Sequence, residues 1–288
     1  MDNFIHYNID FEKDIKEFNK NTIFDSIVIG GGGYKGMLFL GAMQWLNEQG
    51  YLCHVNNFFG TSAGSIICLL TILGFNPTEQ SNMLKINKFF SLKISKHSLF
   101  NFELPKLLKD FLNPLLTFQE LFEKTGKFFF ITAFNCSLYK EVTFSVIHSP
   151  NHSVFDAICY SCAVPFAFDL PINNENHIFM DGGIINNLPI DVACNFDFCH
   201  NILALSCANN DVRLYENYNF LDILNIIISL PSNQLDINRL EKYKNFNITH
   251  IECESNHGIS GILLMNSEEK DILFKNGYKC IQNFFRNT

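Results

Sequence analysis

Three short stretches of this chain carry residue types from which chemistry could be built. The first is Gly60-Thr61-Ser62-Ala63-Gly64, a G-x-S-x-G pentapeptide. The apolar run Asn57-Phe58-Phe59 precedes it, and Ser65-Ile66-Ile67-Cys68-Leu69-Leu70 follows. That order predicts a strand, a tight turn and a helix, with the Ser62 hydroxyl exposed at the sheet end as a nucleophile elbow. Gly60 and Gly64 flank the serine because a side chain would clash where strand and helix meet so closely. The second stretch, Gly31-Gly32-Gly33-Tyr34-Lys35-Gly36, follows a buried strand and opens an apolar helix. The third is Asp181-Gly182-Gly183, a carboxylate at a strand end with two glycines that leave room beside it. Asp-Gly-Gly alone also describes a plain tight turn.

The glycine run satisfies G-x-G-x-x-G, the fingerprint of a dinucleotide site. Such a site needs an acidic residue at the end of the next strand to hold a ribose. Here that strand ends in Ser62, and no carboxylate is in place. A phosphate-binding P-loop is excluded because Met37 stands where its lysine should be. The better reading is an oxyanion hole, in which backbone N–H groups at a helix head stabilise the oxygen of a tetrahedral intermediate.

A serine also needs a base. One arrangement is a Ser-His-Asp triad in α/β-hydrolase order, with His257 or His250 as the histidine. The other is a dyad in which a carboxylate takes the serine proton directly, for which Asp181 is the obvious candidate. Cys159-Tyr160-Ser161-Cys162 is formally C-x-x-C, but no second matching pair supports a metal site, and packing is the favoured role.

Taken together, Gly31–Gly36, Gly60–Gly64, the block Ser161-Cys162-Ala163-Val164-Pro165 and Asp181-Gly182-Gly183 occur in that order. The set closely resembles the patatin-like phospholipase family, whose catalytic fold is related to that of cytosolic phospholipase A2. The resemblance covers roughly residues 24–205. It implies a three-layer α/β/α sandwich with a mostly parallel central sheet. It also implies that Ser62 is the nucleophile and Asp181 its dyad partner, with Gly31, Gly32 and Gly33 supplying the oxyanion hole and no metal or cofactor required. Gly60, Gly64, Gly36, Gly182 and Gly183 belong to the motifs. Lys35 stands where the family often carries arginine; it keeps the charge and loses the bidentate fork. The implied substrates are phospholipids or lysophospholipids at a membrane surface, with an activating protein as a further partner of such enzymes.

The elements that must position these residues are legible in the apolar pattern. Strands alternate with helices, which predicts layered α/β architecture. Strands are expected at 24–30, 56–59, 128–136, 141–147, 177–180, 201–207 and 248–253. Helices are expected from Met37, after Ser62, at 154–162, 221–230, 238–245 and 268–286, with 77–127 helical and irregular. Residues 1–22 read as a polar lead-in and 23–288 as one domain. Within 85–127, eight lysines stand against four acidic residues, interleaved with aromatic and aliphatic side chains. That composition suits either a lid docking on anionic lipid or an ordinary helical insertion.

With 288 residues, 47% hydrophobic and 31 of them Phe, the chain can bury a large core. A net charge of −8 argues against nucleic acid as a partner. The ten cysteines sit mostly in apolar runs, as reduced intracellular thiols do. The N-terminal stretch lacks a basic region followed by an apolar one, and no run is long enough to span a bilayer. The expected location is intracellular, peripheral to membranes.

Overall fold

The computed structural model describes residues 23–86, 90–92, 100–102, 113–208, 220–254 and 265–287. The lead-in at 1–22 lies outside them. Strand β1 (Ser26–Ile29) is buried at every position, and its side chains alternate between two cores, Ile27 and Ile29 in one and Val28 in the other. A run with no polar face fits only the middle of a sheet covered on both sides. Accordingly β1 pairs in parallel with β2 (Asn57–Thr61) and β8 (Ile202–Ala208).

The main sheet runs β6 (Lys140–Phe144), β5 (Phe128–Asn135), β2, β1, β8, β9 (Ile248–Glu254). Its five strands from β5 to β9 are parallel. The short β7 (Phe179–Asp181) and β6 both join β5 antiparallel, so the sheet is mixed with a parallel centre.

The larger core lies between one sheet face and helices α1 (Gly36–Glu48), α2 (Ala63–Ile72), α5 (Val154–Ser161) and α8 (Ser267–Asn287). On the opposite face α6 (Ile190–Cys194), Phe196, Phe198 and Leu240 of α7 (Phe220–Lys242) cover Val28, Phe59, Phe130 and Ala204. The result is helix, sheet, helix. Helices α1 and α8 touch backbone to backbone, since a Cβ on Gly277 would stand 1.9 Å from the Leu38 carbonyl oxygen.

Two expectations need correction. The stretch 77–127 is not simply helical. It contains α3 (Pro77–Ile86), an antiparallel pair β3 (Phe90–Leu92) and β4 (Phe100–Phe102), and α4 (Phe118–Thr125). Helix α4 is fully specified locally, by the Thr117–Glu120 capping box at one end and Gly126 in the left-handed conformation at the other. Phe118 and Leu121 seat it in the core, and Lys127 Nζ donates to Val55 O and Asn56 Oδ1, both at 2.7 Å. Lys85 pairs with Asp271 of α8. Both ends of the supposed lid are therefore built into the fold, while its lysines at 88, 93, 96, 106 and 109 lie outside the described residues.

The second correction concerns α7, expected as two helices and found as one, with Pro231 inside it. Proline removes one intrahelical bond. Here Pro231 is exposed, and on the buried face Ser232 Oγ donates to Gly183 O while Asp236 accepts from Leu188 N–H.

Candidate active site

The ends of β1, β2 and β7 converge on one place. At the end of β2 the chain must turn directly into α2, and Ser62 makes that turn with φ 52° and ψ −125°. This left-handed backbone is unfavourable for any residue with a Cβ and is maintained only by its surroundings. Those surroundings are tight, because a Cβ on Gly64 would lie 2.1 Å from the Ile29 carbonyl oxygen. The Ser62 N–H donates to Ser161 Oγ at 2.8 Å, and Ser161 Oγ donates onward to Thr132 O at 2.6 Å. Ser65 N–H and Oγ both donate to Ser62 O. The strained turn is thus bonded on both of its backbone groups.

Ser62 Oγ donates to Asp181 Oδ2 at 2.6 Å across 119 residues of sequence. Asp181 ends β7, and its other oxygen accepts from Gly183 N–H at 2.7 Å as the chain enters the 3-10 turn Gly182–Ile184. Ser62 and Asp181 are 9% and 5% exposed. Burial pushes the Asp181 carboxyl up to about 6, although the bonds from Ser62 and Gly183 favour its ionised form.

The glycine loop lies against this pair. A side chain on Gly31 would come within 3.0 Å of Ser62 Cβ and 2.6 Å of Asn187 Oδ1. Gly31 N–H donates to Asn187 Oδ1 at 3.1 Å and to Asn187 O at 3.3 Å, so it is engaged and does not face an incoming oxygen. Among the described residues the N–H groups of Gly32 and Gly33 have no hydrogen-bond partner. Lys35 is 4% exposed, its pKa lowered by burial, with Cys207 as its nearby ionisable group. It supports the loop from within and presents no charge to solvent.

Asn187 was not singled out by the sequence, nor were Ser161's bonds. The signal available was a pair of asparagines, Asn186-Asn187, inside the turn after Asp181-Gly182-Gly183. Asn186 O accepts from Thr61 Oγ1 at 3.0 Å, and its amide donates to Glu141 and Asp191 at 2.8 Å each. Arg239 of α7 reaches the same carboxylates and donates to Ile185 O at 2.8 Å. Asp236, pushed up to about 7 by burial, accepts from Leu188 N–H. This network pins the loop that carries Asp181 and Asn187.

His250 is elsewhere. Its Nε2 lies 2.7 Å from Ser206 Oγ on the β8–β9 pair, three strand spacings from β2, or about 14 Å. Burial lowers its pKa to about 4. His257 lies outside the described residues. Cys162 is buried against Ser62 and Ser65, and no disulfide joins it to Cys159. No group of His, Cys, Asp and Glu among the described residues could hold a metal ion.

Comparison with protein-family models matches residues 27–194, more than half of the chain, to the patatin-like phospholipase model. The chain belongs to that family. This patatin-like chain is 32% identical over 194 residues to a probable lipid hydrolase of Invertebrate iridescent virus 6, covering 62% of this chain and 66% of the relative. It is 26% identical over 217 residues to triacylglycerol lipase 5 of Saccharomyces cerevisiae, covering 61% of this chain and 29% of the relative. It thus spans just under two thirds of the first relative and under a third of the second. Among solved structures, VipD from Legionella pneumophila superposes with a TM-score of 0.57 at 14% identity, over 92% of this chain and 67% of that one. The likeness to VipD is one of fold. The family assignment and the α/β fold agree with the resemblance drawn from the four motifs.

Proposed function

We propose that this patatin-like chain is a lipid acyl hydrolase of the phospholipase A or lysophospholipase type, working through a Ser62–Asp181 dyad. The observation that carries the reading is the 2.6 Å bond from Ser62 Oγ to Asp181 Oδ2 at the mouth of a glycine loop. Ser62 Oγ attacks the ester carbonyl carbon while Asp181 takes its proton. The carbonyl oxygen becomes an oxyanion beside the N–H groups of Gly32 and Gly33 and the positive end of α2. As the intermediate collapses, Asp181 returns the proton to the departing alkoxide, and the fatty acyl group remains on Ser62. A water then gives its proton to Asp181 and attacks the acyl carbon. Fatty acid leaves as the proton passes back to Ser62. A carboxyl near 6 can both accept and return a proton close to neutral pH.

Support for lipid esters comes from the family and from the viral and yeast relatives, a probable lipid hydrolase and a triacylglycerol lipase. Among the described residues no helix is long and apolar enough to cross a membrane. The test is fatty-acid release from phosphatidylcholine, lysophosphatidylcholine and triacylglycerol. Release from either phospholipid supports the reading, and release from triacylglycerol alone would replace it with a neutral-lipid lipase.

Asn187 holds the glycine loop to the Asp181 loop through Gly31. Asn187→Ala is expected to lower kcat by about 10- to 100-fold with KM little changed, since donors misplaced by a fraction of an ångström lose transition-state stabilisation. A changed KM with unchanged kcat would refute this positioning role.

A further inference from the structure

Helix α7 is amphipathic in the reverse of the usual sense. Its buried face is polar: Ser229, Ser232 and Asp236 are buried and Arg239 half-buried. That face grips the candidate site, with Ser232 Oγ donating to Gly183 O at 2.5 Å and Arg239 to Ile185 O at 2.8 Å. Its outer face is largely apolar, with the exposed Gln234 lying among the aliphatic side chains. Ile223, Ile227, Leu230 and Ile237 are 38%, 63%, 58% and 58% exposed. At 100° per residue they fall within an arc of about 80°, opposite the polar contacts. A surface helix normally turns such a stripe inward, so exposed here it marks an interaction site.

Charge decides the partner. From residue 223 to 240 the only charged residues are Asp236 and Arg239, both on the inner face and hydrogen-bonded there. The stripe ends at the Glu241–Lys244 ion pair. An outer face with no basic side chain gains nothing from anionic headgroups, whereas four branched aliphatic side chains suit the acyl boundary of a lipid layer. A second exposed apolar residue is Phe166, 58% exposed and three residues beyond Ala163, whose carbonyl accepts from Asp181 N–H.

We propose that the outer face of α7, the helix whose inner face holds the loop carrying Asp181, docks on a net-neutral lipid surface. This rests on the lipid acyl hydrolase reading and adds where the lipid meets the chain. It displaces the basic stretch around Lys93, Lys96 and Lys106 as the main docking element.

The test uses the full chain carrying Ser62→Ala, so that binding is read without turnover and stands apart from whether the wild type releases fatty acid. Co-sedimentation with phosphatidylcholine vesicles is compared with and without Ile227→Glu and Leu230→Glu, and thermal unfolding of the variants shows whether the fold is kept. The expected result is binding that persists at high salt and weakens about tenfold for each substitution. The proposal is overturned if the substitutions leave vesicle binding unchanged, or if the chain binds only phosphatidylglycerol vesicles at low salt. It is equally overturned if the parent chain ignores vesicles, or if sedimentation shows a dimer that the substitutions dissociate, which would make a second copy the occupant.

Discussion

Ser62→Ala is expected to lower lipid ester hydrolysis by about 10⁴- to 10⁶-fold in kcat, the scale seen when a covalent nucleophile is removed while the rest of a site stays in place. Labelling by a fluorophosphonate probe should disappear with it. Hydrolysis that survives the substitution within tenfold would sink the Ser62 mechanism, whatever the lipid. The same position yields a stability readout. Ser62 holds φ 52°, which glycine adopts without strain and alanine does not. Ser62→Gly and Ser62→Ala both lose the bond to Asp181, so their difference isolates the backbone. The glycine variant should be the more stable by about 1 kcal/mol in urea unfolding.

Asp181→Asn should lower activity by about 10³- to 10⁴-fold, because the amide cannot accept the serine proton. In the wild type kcat/KM should rise with pH through about 6 and level off above it, as the carboxylate becomes available. The stability effect has the opposite sign. Asp181 has a folded pKa raised from 3.8 to about 6. The folded state therefore holds this proton more tightly than the unfolded chain. The resulting penalty is absent below about 3.8, grows between the two values and is complete above about 6. Its size is of the order of 3 kcal/mol at neutral pH. An asparagine does not ionise, so the stability of Asp181→Asn relative to wild type should be greatest near pH 7 and shrink as pH falls toward 4. Equal differences at pH 4 and pH 7 would refute the raised carboxyl. Ser62 and Asp181 are thus both held against local preference, the serine by backbone strain and the aspartate by burial. Activity and stability are expected to trade against each other at these two positions.

How much of this was legible in the chain differs from residue to residue. The β1 run was legible because Ile27-Val28-Ile29 is apolar on both faces, the β2 run from Phe58-Phe59 ahead of Gly60, and the helix after Ser62 because it begins directly behind a glycine-flanked turn. Helix α4 carried its own boundaries in Thr117, Glu120 and Gly126. The β3–β4 pair was not legible, since short apolar-polar runs with lysines read equally well as helix. Helix α7 was read as two pieces because Pro231 is a helix breaker in isolation, whereas the contacts that override it come from loops far away in sequence.

The sequence alone determined the ingredients: an alternating α/β order, a serine that must sit in a strained elbow, a glycine run ahead of a helix, and an aspartate entering a glycine turn. Those are local properties, governed by backbone sterics and by the periodicity of apolar residues within a few positions. Only the tertiary structure decided which partners meet. It joins Ser62 to Asp181 rather than to His250, because β7 returns beside β5 while β9 lies at the far edge of the sheet. It gives Gly31 N–H to Asn187. It also turns the polar face of α7 inward. Such pairings depend on long-range packing, which no single segment encodes.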